Sequence, residues 1–116
     1  MRTDPGVFLP LTALDFQVLS LLVEGPCHGY GIVQAAESRY PDQPALEIGS
    51  LYRIVARMLD DGLIEEVAKP AGVPESGRKR RFYRATELGT SVLRAEAERL
   101  RSLLAAMDGL NLGAAR

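Results

Sequence analysis

The alternation of apolar and polar positions divides the chain into four helical stretches and one pair of strands. In "LTALDFQVLSLLVEGP", Leu14, Val18, Leu21 and Leu22 recur at i, i+4, i+7 and i+8, the spacing of one helix face. Thr12 is a good N-cap with Asp15 three residues on, and Gly25-Pro26 stops the run. "HGYGIVQAAESRYPDQP" predicts a second, weaker helix over residues 29–40, ended by Pro41 and Pro44. Its two glycines cost roughly 1 kcal/mol each if they fall inside it. In "EIGSLYRIVARMLDDG", a turn of about 100° per residue puts Ile48, Leu51, Val55, Met58 and Leu59 on one face. Ser50, Arg53, Arg57 and Asp60 lie opposite, with Tyr52 on the flank, and Asp61-Gly62 supplies the stop. "LIEEVAK" then reads as a strand, "PAGVPESG" as a turn and "RKRRFYRA" as a returning strand. Thr86 caps a last helix that runs to about Asp108, before Gly109.

Three short helices followed by a β-hairpin is the order of a winged helix-turn-helix: a mainly α chain with a small β-hairpin (α+β), extended here by a long C-terminal helix. The expected organisation is an N-terminal arm over residues 1–10, loosely structured because it holds two prolines and a glycine. A winged helix-turn-helix follows over 11–85, a C-terminal dimerisation helix over 86–108 and a tail over 109–116. The last helix would be roughly 34 Å long at about 1.5 Å per residue, more than a domain of this size can cover along one side. Leu93, Ala97, Leu100, Leu104 and Met107 are spaced 4, 3, 4, 3 along it, the seam of a coiled-coil-like contact. A partner helix would bury all of that seam; folding back on its own domain would need little more than half of it.

Composition changes this picture only slightly. The chain has 116 residues, 47% apolar and 25% charged, within the range of an ordinary globular domain. Its longest apolar stretches fall short of a membrane span, and the start of the chain lacks a signal-peptide pattern, so no membrane partner is expected. The single cysteine, Cys27, rules out an internal disulfide and fits a reducing cytoplasm. Charge is more informative in its distribution than in its sum. The formal net charge is -1, yet between positions 67 and 85 Glu75 is the one acid among six bases. Arg78, Lys79, Arg80, Arg81 and Arg84 crowd into seven positions beside Phe82 and Tyr83.

That cluster reads as a basic wing able to touch phosphates or the minor groove of double-stranded DNA, or as a solvated hairpin. Strand alternation sends Tyr83 and Ala85 inward and leaves Phe82 among arginines. On the wet face of the third helix, Ser50, Arg53 and Arg57 are residue types that reach base edges and phosphates. The two arginines have Asp60 and Asp61 as alternative partners, and Tyr52 is either core rim or phosphate contact. His28, the one histidine, sits beside Cys27. Two adjacent residues cannot make a zinc site, so an N-cap or packing role for His28 is expected, with no metal and no cofactor. Asp60-Asp61 and Glu65-Glu66 lack an accompanying base, nucleophile or phosphate loop, so no enzyme is expected. A winged helix that binds protein through the same surface is the competing reading.

"LTALDFQVLSLLVEGPCHGYGI", "GSLYRIVARMLDDGLIEE" and "GRKRRFYRATELG", in this order and spacing, resemble the PadR family of bacterial transcriptional regulators over residues 11–104. The resemblance implies that the third helix enters the major groove, that the wing touches DNA, and that the C-terminal helix builds a homodimer on a palindromic operator. By position, Gly49, Ser50, Leu51 and Tyr52 match the recognition-helix motif, and Arg78 to Tyr83 match the wing. The C-terminus is similar to the family's short branch. Gly31 departs from the acidic or polar residue commoner at its position. The resemblance further implies a repressor that excludes polymerase, and a small, largely apolar effector near the dimer helices. The chain has no tryptophan, so the stacked-tryptophan drug pocket of some members is not implied.

Overall fold

The structure, a computed structural model, describes residues 4–74 and 79–113. Four helices, α1 (Ala13–Glu24), α2 (Gly29–Arg39), α3 (Ile48–Asp60) and α4 (Glu87–Ala106), surround a small antiparallel sheet of β1 (Cys27–His28), β2 (Ile64–Val67) and β3 (Phe82–Ala85). The strand order is β1-β3-β2. Among the described residues no helix is long and apolar enough to cross a membrane.

Local signals set most boundaries. Thr12 Oγ1 accepts the Asp15 N–H at 3.1 Å and starts α1. Gln17, Val18, Leu19, Leu21 and Leu22 are all buried, so α1 is covered on more sides than the one face its periodicity predicts. It is the central helix, in contact with α2, α3, α4 and β3. His28 caps α2, its Nδ1 accepting the Gly31 N–H at 3.0 Å. Gly29 and Gly31 both fall in the first turn of α2.

Helix α3 ends in a paired turn: Leu63 N–H reaches the Met58 carbonyl at 2.9 Å and Gly62 N–H reaches that of Leu59 at 3.2 Å. Gly62 supplies the positive φ of 77° this closure needs. The face of α3 in the core is Leu51, Ile54, Val55 and Met58. Ile48 and Leu59, expected inside, are 46% and 37% exposed. They sit at the two ends of the helix, beyond the reach of the helices packed on its middle.

β2 and β3 pair Ile64 with Ala85, Glu65 with Arg84, Glu66 with Tyr83 and Val67 with Phe82. The returning strand is shorter than its sequence predicts. Lys79, Arg80 and Arg81 are not in strand, and the pairing of β2 with β3 ends at Val67 and Phe82. Arg78 lies outside the described residues. Phe82 and Tyr83 are both 5% exposed, so Phe82 does not stand among arginines in solvent. β1, a third strand that the sequence does not announce, pairs His28 with Phe82. The two rings meet edge to face at 5.4 Å.

From Asp4 onward the N-terminal segment is structured rather than loose. Pro5–Phe8 forms a 3₁₀ turn capped by Asp4, and Phe8, Leu9 and Leu11 pack against the core. The segment is tied to α4 by the Leu11 N–H, which donates to Glu96 at 2.9 Å. Glu96 is 2% exposed and also accepts from Arg99 at 2.5 and 3.0 Å. The Arg99 guanidinium, opposed by burial, holds this carboxyl below the usual range.

The corner between β3 and α4 explains the spacing Thr86-Glu87-Leu88-Gly89. Thr86 donates its N–H to the Leu63 carbonyl at 3.0 Å and its hydroxyl to that of Gly62 at 2.6 Å. The same hydroxyl oxygen accepts the Gly89 N–H at 3.1 Å. This clamp presses α4 onto the chain so closely that a Cβ on Gly89 would lie 2.0 Å from the Leu63 oxygen. Gly89→Ala is expected to cost at least about 3 kcal/mol, since backbone cannot yield as a side chain can. Gly49→Ala, where a Cβ meets nothing within 4 Å, should be neutral or stabilising by up to about 1 kcal/mol. Urea unfolding of the two variants checks the contrast.

Candidate nucleic-acid interface

The first turns of α2 and α3 and the base of the hairpin enclose an open groove of about 780 Å³. Three cations line it, Lys79, Arg80 and Arg81, with the aromatics Tyr30, Tyr52 and Tyr83; His28, Gly29 and Ile48 complete the wall. No carboxylate lines it among the described residues.

Each side chain is held by a local device. Tyr52, 53% exposed, leans over the start of α2, where a Cβ on Gly29 would come within 2.9 Å of its hydroxyl. Tyr83 is buried beneath the groove. Its burial, then the nearby Glu66 charge, push the phenol pKa up, so it stays protonated and serves as a neutral floor. Arg80, two residues ahead of β3, reaches across to β1, with Nη1 3.0 Å from His28 Nδ1 and 3.5 Å from Nε2, and its Cζ lies 6.0 Å from the centre of the Tyr30 ring. Burial and, after it, the Arg80 charge hold the His28 imidazole below its usual range. Its Nδ1 accepts a backbone N–H, so the neutral ring carries its proton on Nε2.

The remaining sequence-derived candidates divide. Gly49 and Arg53 lie exposed on α3 outside the groove, and Ser50 is half-buried. Arg53 donates to Ser50 Oγ at 3.2 Å. Arg57 is exposed but paired, and its partner is Asp15 of α1 at 2.5 Å rather than Asp60 or Asp61. Arg84 points away from the groove's wall and pairs across the strands with Glu65 at 3.0 Å. Of the α4 seam, Leu93 packs against its own core and Ala97 is half-buried, whereas Leu100, Leu104 and Met107 are 38%, 67% and 42% exposed. Cys27 is half-buried, and burial pushes its thiol up, away from the reactive thiolate.

His28, Tyr30 and Ile48 belong to the groove although sequence reasoning does not place them there. Tyr30 had a readable signal: Gly29, Ile32 and Ala36 form the buried face of α2, and a residue one step from Gly29 falls off it. Ile48 and His28 had none, because their neighbours come from distant parts of the chain.

A helix-turn-helix whose second helix stands beside a cationic hairpin defines the class: this is a winged helix-turn-helix protein. The chain belongs to the Transcriptional regulator PadR-like family, whose sequence model matches residues 18–95. No curated protein sequence matches it. Among solved structures it is similar to a PadR family transcription regulator from hypervirulent Clostridium difficile R20291, with 25% identity over 84% of this chain and 96% of that one and a TM-score of 0.69. A PadR-like transcriptional regulator from Bacillus cereus strain ATCC 14579 shares the fold at 22% identity, over 87% and 93% of the two chains and a TM-score of 0.69. Bacillus subtilis PadR, solved in complex with operator DNA, shares it at 16% identity, over 86% of this chain and 61% of that one and a TM-score of 0.65.

Proposed function

We propose that the protein is a homodimeric transcriptional repressor that binds a palindromic operator and excludes polymerase. The observation that carries this reading is the groove between α3 and the wing, which gathers three cations and two exposed tyrosines with no carboxylate lining it among the described residues. A surface of that kind suits a polyanion with a flat, stacked interior. In this reading α3 lies in the major groove, with Arg53 reaching base edges. Ser50 and Tyr52 contact the backbone, and Gly49 lets it approach closely. Arg57 joins them when a phosphate competes with Asp15. Arg78, Lys79, Arg80 and Arg81 of the wing neutralise phosphates over a neighbouring groove, with Tyr83 as their support. That a relative is known in complex with operator DNA supports the assignment.

The exposed leucines of α4 support the dimer, since Leu100, Leu103, Leu104 and Met107 form one apolar stripe without a partner in the described protomer. A small apolar effector would lodge beside those helices. An open cavity of about 430 Å³ lies there, with Leu11, Phe16, Tyr40 and Leu100 in its wall beside the polar Gln17, Gln43, Glu96 and Arg99.

Selection of bound sequences from a random DNA pool tests the reading. The expected result is a two-fold symmetric site whose half-sites lie about one helical turn, or a multiple, apart. Binding should weaken with salt at a log–log slope of about -0.9 per phosphate contact. No enrichment and a flat slope would overturn it in favour of a protein-binding winged helix.

A further inference from the structure

His28 stands where two backbone devices meet. The pairing of β1 with β3 sets it opposite Phe82, two residues from Arg80, and α2 begins at the next residue. Its Nδ1 lone pair accepts the Gly31 N–H at 3.0 Å, and Arg80 Nη1 lies over the ring, 3.0 Å from Nδ1 and 3.5 Å from Nε2. Three features fix the ring. Phe82 meets it edge to face. Gly31 leaves it room, since a Cβ there would come within 3.2 Å of its Cε1 and within 2.8 Å of Cys27 Sγ. The cap hydrogen bond orients the acceptor nitrogen. The charged and titratable groups around it are the Cys27 thiol on its own strand, the Tyr30 phenol on α2, Tyr52 on α3, and Lys79, Arg80, Arg81 and Tyr83 on the hairpin. No carboxylate competes for Arg80 in this wall among the described residues, so the imidazole face is its nearest anchor, with the Tyr30 ring as a weaker second support at 6.0 Å.

We infer that His28 is a positioning residue for DNA binding: through the face of its neutral imidazole it holds the Arg80 guanidinium at the mouth of the groove between α3 and the wing. An arginine on a hairpin base would otherwise sample many rotamers, and ordering it on binding costs side-chain entropy. The imidazole removes part of that cost beforehand, yet being neutral it leaves the cation's charge whole. A carboxylate at the same place would also order the arginine but cancel the attraction for a phosphate. This explains chemically why a cap position for which Asp, Ser or Asn would serve carries a histidine here. The affinity consequence rests on the DNA-binding reading above; the contact itself does not.

Two arms separate these claims. In the free protein, NMR should find His28 as the Nε2–H tautomer, and Arg80→Gln should raise its pKa towards the ordinary value by removing the adjacent charge. Fluorescence anisotropy then measures affinity for the selected operator in a double-mutant cycle. His28→Ala and Arg80→Gln should each weaken binding roughly tenfold, and the double variant should bind no worse than either single one. His28→Asn, which keeps the cap on Gly31 but has no ring face, should lose affinity as His28→Ala does while melting closer to the parent. Additive losses, or an asparagine variant that binds as tightly as the parent, would overturn the positioning role. So would a His28 pKa that ignores Arg80→Gln. Absence of any DNA binding by the unsubstituted protein would overturn the proposed function, and with it the affinity claim, while the NMR arm still decides the contact.

Discussion

Leu104→Asp is expected to turn the protein into a monomer whose winged-helix domain is intact and whose operator affinity has fallen to the non-specific level. Leu104 is 67% exposed in the protomer, so the substitution removes little from the subunit's own packing. Its local cost is helix propensity plus an unfavourable charge near a helix C-terminus, together about 1 kcal/mol. In a two-helix seam the same carboxylate would be buried without a partner, which costs several times more. Leu104→Lys separates the two effects, because a cation favours that helix end yet is equally misplaced in a seam; both variants should dissociate. Leu100 is a poorer probe, since it borders the cavity against α1 and its loss would disturb the subunit. A palindrome is read by two subunits at once, and specific sites commonly exceed non-specific ones by at least about 10³-fold, so the drop in affinity should be of that order. Light scattering and anisotropy on the three proteins check it. An unsubstituted protein that is monomeric at micromolar concentration yet binds its operator tightly would rule the architecture out.

What could be read in the sequence follows the range of the interactions that carry it. The helices were legible because their caps and stops are local: Thr12 and Thr86 accept N–H groups three residues on, and Gly62 closes α3 within five residues. The hairpin was legible from its turn chemistry, and the basic cluster from charge alone. Features made by distant pairing were not. β1 has only two residues and exists because β3 runs beside it. Asp15 looks like half of a capping box, but its carboxylate is taken by Arg57 from 42 residues away. Glu96 falls on the domain-facing side of α4, at i+3 from Leu93, and nothing local in the sequence announces the partners that make its burial tolerable, Arg99 and the returning Leu11 amide. The apolar stripe of α4 was partly legible. Leu100, Leu104 and Met107 are exposed in the protomer, whereas Leu93 is used by the core because the Thr86–Gly89 clamp lays the first half of the helix on its own domain.

Replacing Lys79, Arg80 and Arg81 together by alanine is expected to weaken binding to every DNA, operator and random alike. All three side chains are exposed, so the fold should melt within a degree or two of the parent. Charge-assisted contacts of about 1 kcal/mol each amount to a loss of roughly 100-fold, and the salt slope should flatten by up to about 2.7, or about 0.9 per contact. Arg53→Ala should behave in the opposite way: a cost of about 1–3 kcal/mol on the selected operator, little on random DNA, and a nearly unchanged slope. The contrast follows from where the residues stand, the three cations on the rim of the groove and Arg53 on the exposed side of α3 with only Ser50 to hold it. Arg57 should fall between them, because part of what it would give a phosphate or a guanine it already gives Asp15. Asp15→Asn therefore releases it and should tighten random DNA while leaving the base preference of the selected site intact. Anisotropy titrations across a salt series, on operator and on random duplex, measure all four variants together. Equal losses on both duplexes for Arg53→Ala would reduce that residue to a phosphate contact and move the reading of bases to the other exposed positions of α3.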